Sequence, residues 1–474
     1  MEPYKYTTSL RSDQIRLLQL HNDTTTEIKC SAHVFNLASA PPFEAMSYRW
    51  GSADKTHTIT IDNQTLAITQ SAHDLLAQQS KSPDKPYIWI DSICINQEDK
   101  AEKTRQVRSM TQIYSTASRV VVWLGNAPDA DVAWWFFGLI LVEHERQVAR
   151  EVLAVQSMGY RANADQHPGW KAFISLLNNP YWWRVWIVQE IALARRVDIC
   201  YGGFWWGWDA FAEVAMELAD KNSSLLPKLD ISVGMAMAPG HALRQIRSIH
   251  DLRRACLRGR KSTLAQILLD FRSSRASMDE DFVLGFHGIS ADAETQGGLV
   301  VDYSQSPLQI FKAAVTQSLR HGPSPLPFAL FSLAGLASIR PGDTSWPSWV
   351  PDFPRISHDK MLPPPLCEFA AYKAGRPDLY YPKVTHSHPQ DNQLTISGLT
   401  IDTIAETTAL PPVDVSNINT IEDSKETAKM ILAQTARIKE ARQLATARCA
   451  ETYFTGESRS DAFWRTHMGN RSIT

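Results

Sequence analysis

The chain has 474 residues, 44% of them hydrophobic and 21% charged, with a formal net charge of −2. This length exceeds one ordinary core and implies two or three domains, the composition excludes large-scale disorder, and the near-neutral charge leaves no basic field for nucleic acid. Cysteines 30, 94, 200, 256, 367 and 449 stand singly with no CxxC pair, a reduced intracellular pattern that offers neither a disulfide framework nor a zinc site. The start lacks an apolar signal-type segment, and the longest apolar stretch, Val132 to Val142, is too short to span a bilayer. A cytoplasmic protein without a membrane span is therefore expected.

Ile15 to Leu20 and Ile28 to Leu37 alternate about the polar turn HNDTTTE, which reads as a β-hairpin. Pro41 and Pro42 then punctuate the chain before Phe43 to Trp50, where Ser47, Tyr48, Arg49 and Trp50 lead into Gly51. Small and polar residues at a strand end followed by glycine make either a terminating turn or a loop that a ligand approaches closely. Thr58 to Ile61 and Leu66 to Ile68 flank Asp62-Asn63, a second hairpin signal. Ser71 is placed to cap a helix through Leu75, Leu76 and Gln79.

Tyr87 to Ile90 is a short apolar run that stops at Asp91. After a polar turn from Asn96 to Lys100, Val107, Met110, Ile113, Tyr114 and Ala117 recur at helical spacing. A second apolar run, Val120 to Leu124, ends at Gly125. Strand, helix, strand is a βαβ unit, and its crossover makes the strands parallel. Ligands of open parallel sheets lie beyond the carboxyl ends of the strands, so Asp91 and Asn96-Gln97 fall where chemistry is expected. Glu102 opens the helix with Glu98 and Asp99 and reads as a solvated first-turn carboxylate. Cys94, in an apolar strand-like run, reads as a buried inert thiol.

Trp134 to Val142 is an apolar helix whose pattern extends toward Gln156. Farther on, Asn179 is placed as an N-cap and Pro180 suits the first position of the helix YWWRVWIVQEIALARR. Glu190 lies four residues after Trp186 and seven after Trp183, so all three share one face, and no Lys or Arg stands three or four residues away. A carboxylate among apolar and aromatic side chains is costly unless it is paired from outside the helix or functional. An exposed position at the helix edge is the alternative.

Val197 to Trp208 reads as a strand and a Gly/Trp turn that close a first domain, residues 1–210. Residues 211–345 are mainly helical, and SWPSWVPDFP marks the boundary to a mixed α+β part over 346–474. There LTISGLTIDTI alternates like a strand pair, and Thr420 to Cys449 has a long helical pattern. Glycine-rich phosphate loops, HExxH and GxSxG are absent, and the pair His386 and His388 has no third ligand nearby.

Three stretches carry a resemblance: FEAMSYRWG (Phe43 to Gly51), then WIDSICINQ with QVRSMTQIY and VVVWLG, then YWWRVWIVQEIALA (Tyr181 to Ala194). In this order they resemble the signature of the fungal heterokaryon-incompatibility (HET) domain. DFVLGFHGIS, VDYSQSPLQIF, PSWVPDF, LTISGLTIDTI and FWRTHMGNR are similar to segments that follow the domain in longer members. The resemblance implies an incompatibility-type protein of cell-death or innate-immunity signalling.

HET domains have been likened to Toll/interleukin-1 receptor (TIR) domains, some of which cleave NAD. The resemblance thus implies an α/β fold, a TIR- or flavodoxin-like parallel sheet flanked by helices. WWRVWIVQEIALA is similar to the TIR helix bearing the catalytic glutamate, which makes Glu190 the catalytic residue of an NAD glycohydrolase. Ser47, Arg49, Asp91 and Asn96 are then placed to hold ribose or phosphate, Gly51 to admit the ligand, and Trp50 or Trp186 to stack on nicotinamide. Arg49 departs from the family's pattern, in which a small or apolar residue is usual. NAD is a substrate on this reading, with no cofactor or metal. The implied partners are further copies, through the TIR-like domain, and other incompatibility or receptor proteins. Two readings stand beside it: a non-catalytic homotypic assembly module with a structural Glu190, and a scaffold recruited as a biosynthetic enzyme.

Overall fold

The first hairpin forms where the alternation places it. Strands β1 (Gln14–Leu20) and β2 (Lys29–Asn36) pair antiparallel, with Gln14 opposite Asn36 and Leu20 opposite Cys30. Strand β3 (Phe43–Tyr48) is buried at every residue, as a central strand covered on both faces must be. Strands β4 (His57–Ile61) and β5 (Gln64–Ile68) turn through Asp62 and Asn63. Both turn residues have positive φ, 50° and 63°, which a two-residue hairpin of this hand requires. Helix α1 (Gln70–Gln79) is capped by Thr69, whose side chain accepts from the Ala72 N–H, and not by Ser71. The helix begins at once because Thr69 is still extended, at φ −72° and ψ 157°.

In this computed structural model residues 1–21, 27–84, 86–146, 168–219, 240–293, 298–321, 330, 333–334, 346–358, 384–387, 394–396 and 443 are described. They divide between two compact units, one of residues 1–262, 274–294 and 300–304, the other of 263–273, 295–299 and 305–474. Among the described residues no helix is long and apolar enough to cross a membrane.

The first unit contains a nine-stranded sheet in the order β5-β4-β2-β1-β6-β3-β7-β8-β9. Strands β6 (Tyr87–Trp89) and β7 (Arg119–Trp123) both run parallel to β3, and β8 (Val197–Tyr201) runs parallel to β7. The edge strand β9 (Phe204–Gly207) is antiparallel to β8. The expected βαβ unit is present, but β3 lies between its two strands. Numbered in chain order, the adjacent parallel strands β6-β3-β7-β8 follow the order 2-1-3-4, as flavodoxin-like sheets begin, and the direction of winding reverses at β3. The carboxyl end of β3 is therefore where this topology opens a crevice.

Asp91 begins a one-turn helix, α2 (Asp91–Cys94), instead of a loop. Cys94 lies in that turn, not in a strand, and burial pushes its thiol up to about 12. Native protein is accordingly expected to resist alkylation at Cys94 at pH 8, and urea-unfolded protein to be modified, as peptide mapping checks.

Helix α3 (Lys100–Thr116) is capped by Asp99, whose carboxylate accepts from the Ala101 and Glu102 N–H groups. Glu102 is not solvated. It is fully buried, paired with Arg16 at 3.0 Å, and accepts from the backbone N–H of Leu10 (3.0 Å) and of Asn96 (2.8 Å). The N-terminal segment supplies Leu10 and Arg16 to the start of α3, and the turn before the helix supplies Asn96.

After α4 (Ala130–Arg146) and α5 (Pro168–Leu177), the tryptophan-rich segment is not one continuous helix. Asn179 does cap, and Pro180–Trp183 is a 3-10 turn. Arg184 is then extended, at φ −69° and ψ 136°, and forms a parallel bridge with Arg275. Only afterwards does α6 (Ile187–Ala192) begin. Trp183 thus shares no helical face with Glu190, and Glu190 lies in the first turn of its helix. The backbone of Arg275 causes the break, since its carbonyl takes the Val185 N–H and its N–H reaches Trp183.

Helices α7 (Trp208–Ala219), α8 (Gly240–Leu257), α9 (Leu264–Asp270), α10 (Asp281–His287) and α11 (Pro307–His321) fall in the region expected to be helical, and α12 (Phe353–His358) lies beyond it. In the second unit Leu394–Ile396 pairs antiparallel with Val384–Ser387, so LTISGLTIDTI does not pair within itself over these residues. Its remainder, the pattern from 420 to 449 apart from residue 443, the FWRT segment and the extension of α4 toward 156 lie outside the described residues.

Candidate functional site

A cavity of about 420 Å³ opens at the carboxyl ends of β3 and β6. The exit of β3 contributes Arg49, Trp50 and Gly51, and the start of α2 contributes Asp91. Lys103 and Met110 come from α3, and Trp183, Arg184 and Trp186 from the broken segment before α6. Arg275, Asp281 and Tyr303 close the wall from far along the chain, within the same unit.

Two indoles in this wall are tethered by carboxylates. Trp50 Nε1 donates to both oxygens of Asp91, at 3.0 and 2.9 Å, and the Ser92 N–H donates to Oδ1 at 2.7 Å. Burial pushes the Asp91 carboxyl up, and the Arg184 charge and the Trp50 hydrogen bond oppose it. Trp186 Nε1 donates to Asp281 Oδ2 at 3.0 Å, and the Tyr303 hydroxyl donates to Oδ1 at 2.7 Å. Asp281 is likewise pushed up by burial, against the pull of those two donors. Arg275 sits over the Trp183 ring, 5.4 Å from its centroid.

Glu190 is 1% exposed and does not line the cavity. The Ser47 hydroxyl donates to its Oε2, and the Tyr181 hydroxyl lies 2.5 Å from Ser47 Oγ. Since Ser47 spends its proton on Glu190, Tyr181 is the donor to Ser47. Burial raises the Glu190 carboxyl to about 7; the Arg184 charge, Ser47 and Tyr114 act against that rise, and Asp91 adds to it. Arg184 connects this cluster to the cavity. It lines the wall, donates to the Tyr48 carbonyl, and its charge acts on both Glu190 and Asp91. The carboxylate is thus hydrogen-bonded from outside its helix, by Ser47, and feels the Arg184 charge without forming an ion pair with it.

Of the residues singled out from sequence, Arg49, Trp50, Gly51, Asp91 and Trp186 meet at the cavity. Ser47 and Glu190 meet each other beneath it. Asn96 belongs to neither group: its N–H bonds Glu102 and its Oδ1 accepts from the Glu98 N–H, which shapes the turn into α3. Gly51 has φ +73°, and a Cβ there would lie 2.6 Å from Ser71 Oγ. Its glycine is thus accounted for by the seat of the loop on α1. Sequence reasoning missed Tyr181 and Arg184, which fall in the YWWRVWIVQEIALA stretch but were given no chemical role, and Lys103 and Arg275, which no motif marks. Asp281 and Tyr303 fall in DFVLGFHGIS and VDYSQSPLQIF, two stretches noticed for resemblance but without a chemical role.

The strand ends, the turn after β6 and the segment reaching Glu190 are the parts that converge here, and one family spans all three. The sequence model of the family described as Heterokaryon incompatibility protein (HET) matches residues 43–190. Residues 43–190 are thus similar to the HET domain. Heterokaryon incompatibility protein 6, OR allele, of Neurospora crassa is 38% identical to the chain over 133 residues, 25% of this chain and 20% of that relative. The match therefore spans a fifth of the relative's length. No solved structure matches the chain. The HET match ends on Glu190 itself, so Arg275, Asp281 and Tyr303 complete the cavity from beyond the matched residues.

Proposed function

We propose that this HET-domain protein acts in cytoplasmic incompatibility-type cell-death signalling, and that its cavity binds NAD and cleaves the nicotinamide–ribose bond. The observation that carries the chemistry is the company of the cavity. Four cations (Arg49, Lys103, Arg184 and Arg275) share one wall with indoles and with two carboxylates, Asp91 and Asp281, at the strand ends where open sheets bind ligands. Cations suit a pyrophosphate, indole faces suit flat rings, and carboxylates suit ribose hydroxyls.

In the reaction the bond from ribose C1′ to the ring nitrogen breaks, and its electron pair leaves with nicotinamide as a neutral base. Water then adds to the ribosyl cation and releases one proton. A carboxylate in a water-poor site stabilises that cation. Glu190 fills this role when ionised, and Arg184 turns from Glu190 to the ligand's phosphate as the sugar enters. The resemblance to TIR domains and the action of the Arg184 charge on both Glu190 and Asp91 support this assignment.

A non-catalytic assembly role for the HET domain is the second reading. It is favoured by one observation, that Glu190 is hydrogen-bonded, 1% exposed and outside the cavity wall. Purified protein incubated with NAD at concentrations where it self-associates distinguishes the two. Nicotinamide release supports the hydrolase, and its absence there leaves assembly.

A further inference from the structure

Two indole–carboxylate pairs in one wall need more than one half of a ligand to account for them. Trp50 is anchored on Asp91, inside the HET match, and Trp186 is anchored on Asp281, which Tyr303 holds from the other side. An N–H donated to a fixed carboxylate sets the orientation of the ring and leaves its faces for stacking. Arg275 lines the same cavity, supported on Trp183 and by backbone bonds to Trp183 and Val185, the latter beside Trp186 in the chain.

From this arrangement we infer that Trp186, Asp281, Tyr303 and Arg275 form a second ring-and-phosphate subsite, which takes the end of a dinucleotide remote from the bond that breaks. The inference rests on the dinucleotide reading above and deepens it. Trp50 and Asp91 serve the reacting half, Trp186 receives the second base on its face, and Arg275 meets the phosphate on that side. Tyr303 acts through Asp281: its hydroxyl holds the carboxylate that holds the indole. It is a positioning residue, and Arg275 is a binding one. Arg275, Asp281 and Tyr303, beyond the HET match, then set which ligand the domain accepts.

The test is equilibrium binding by the full chain, followed by calorimetry, with NAD, AMP and nicotinamide mononucleotide as separate probes. NAD is expected to bind about tenfold or more tighter than either half, since one molecule joins two subsites. Arg275→Ala is expected to weaken NAD and AMP about tenfold, the usual loss for a charge-assisted hydrogen bond, and to leave nicotinamide mononucleotide within about twofold. Tyr303→Phe keeps the ring and its packing and is expected to follow the same pattern more weakly, and Trp50→Leu to show the opposite selectivity.

Equal loss for both half-ligands, unchanged NAD and AMP affinity in Arg275→Ala, or no saturable binding of NAD and AMP overturns the inference. Thermal melts of each variant separate lost binding from lost fold. If the selective pattern appears but nicotinamide is never released, cleavage fails and the subsite stands. If release occurs and Arg275→Ala and Tyr303→Phe leave affinity untouched, the subsite alone fails.

Discussion

Glu190→Gln is expected to lower nicotinamide release by about 100-fold or more while making the protein more stable above neutral pH. The first effect is the loss of the carboxylate to which the proposed mechanism assigns the developing cation, and losses of about 10²–10³ are usual when one electrostatic stabiliser of a transition state is removed. The second follows from proton linkage. Burial raises the Glu190 carboxyl from 4.5 to about 7 in the folded chain. Between those two values the folded state holds a proton that the unfolded state has lost. Stability is therefore fully present below about 4.5 and falls as pH rises through 7, by on the order of 3 kcal/mol for this group. A neutral glutamine still accepts from Ser47 and escapes that cost. Activity has the opposite dependence, rising through about pH 7 as the carboxylate ionises. Urea unfolding at pH 6 and pH 8, beside nicotinamide assays on the same preparations, checks both effects. Equal release by wild type and Glu190→Gln removes the carboxylate from the chemistry. A glutamine variant less stable at pH 8 would mean that attraction to Arg184 outweighs burial.

The features legible in the sequence were local in origin. Alternation located both hairpins, Asp62-Asn63 marked the tight turn, and the apolar runs at Tyr87 and Val120 bracketed a helix as a crossover requires. The illegible features all depend on distant partners. Nothing near Tyr87 or Val120 tells that β3 lies between their strands. WWRVWIVQE has the composition of a helix, and only the backbone of Arg275 interrupts it at Arg184. That interruption decides the site, because it turns Arg184 toward Tyr48 and Glu190. Asp281 and Tyr303 escaped for the same reason, since no spacing connects them to Trp186, their partner in space.

Glu102 was misread for this reason too, and it leads to the largest expected effect on folding. Arg16→Ala is expected to destabilise the first unit by about 3–5 kcal/mol, the range for breaking a buried ion pair from one side. Arg16 is 3% exposed and Glu102 not at all. The guanidinium also donates to the carbonyls of Cys94 and Thr8, each at 2.7 Å, and lies over the Tyr6 ring at 4.7 Å. Its removal strands a carboxylate whose remaining donors are the backbone N–H groups of Leu10 and Asn96. A solvated first-turn carboxylate would instead change stability by about 0.5 kcal/mol or less. The double variant Arg16→Met with Glu102→Leu is expected to recover most of the loss, because apolar replacement of both partners removes the unpaired charge. Urea midpoints of the single and double variants decide this. The pair ties the N-terminal segment to the end of α2 and the start of α3, the two elements that carry Asp91 and Lys103. Arg16→Ala should therefore weaken NAD binding although Arg16 lies outside the cavity wall, and the double variant should restore it.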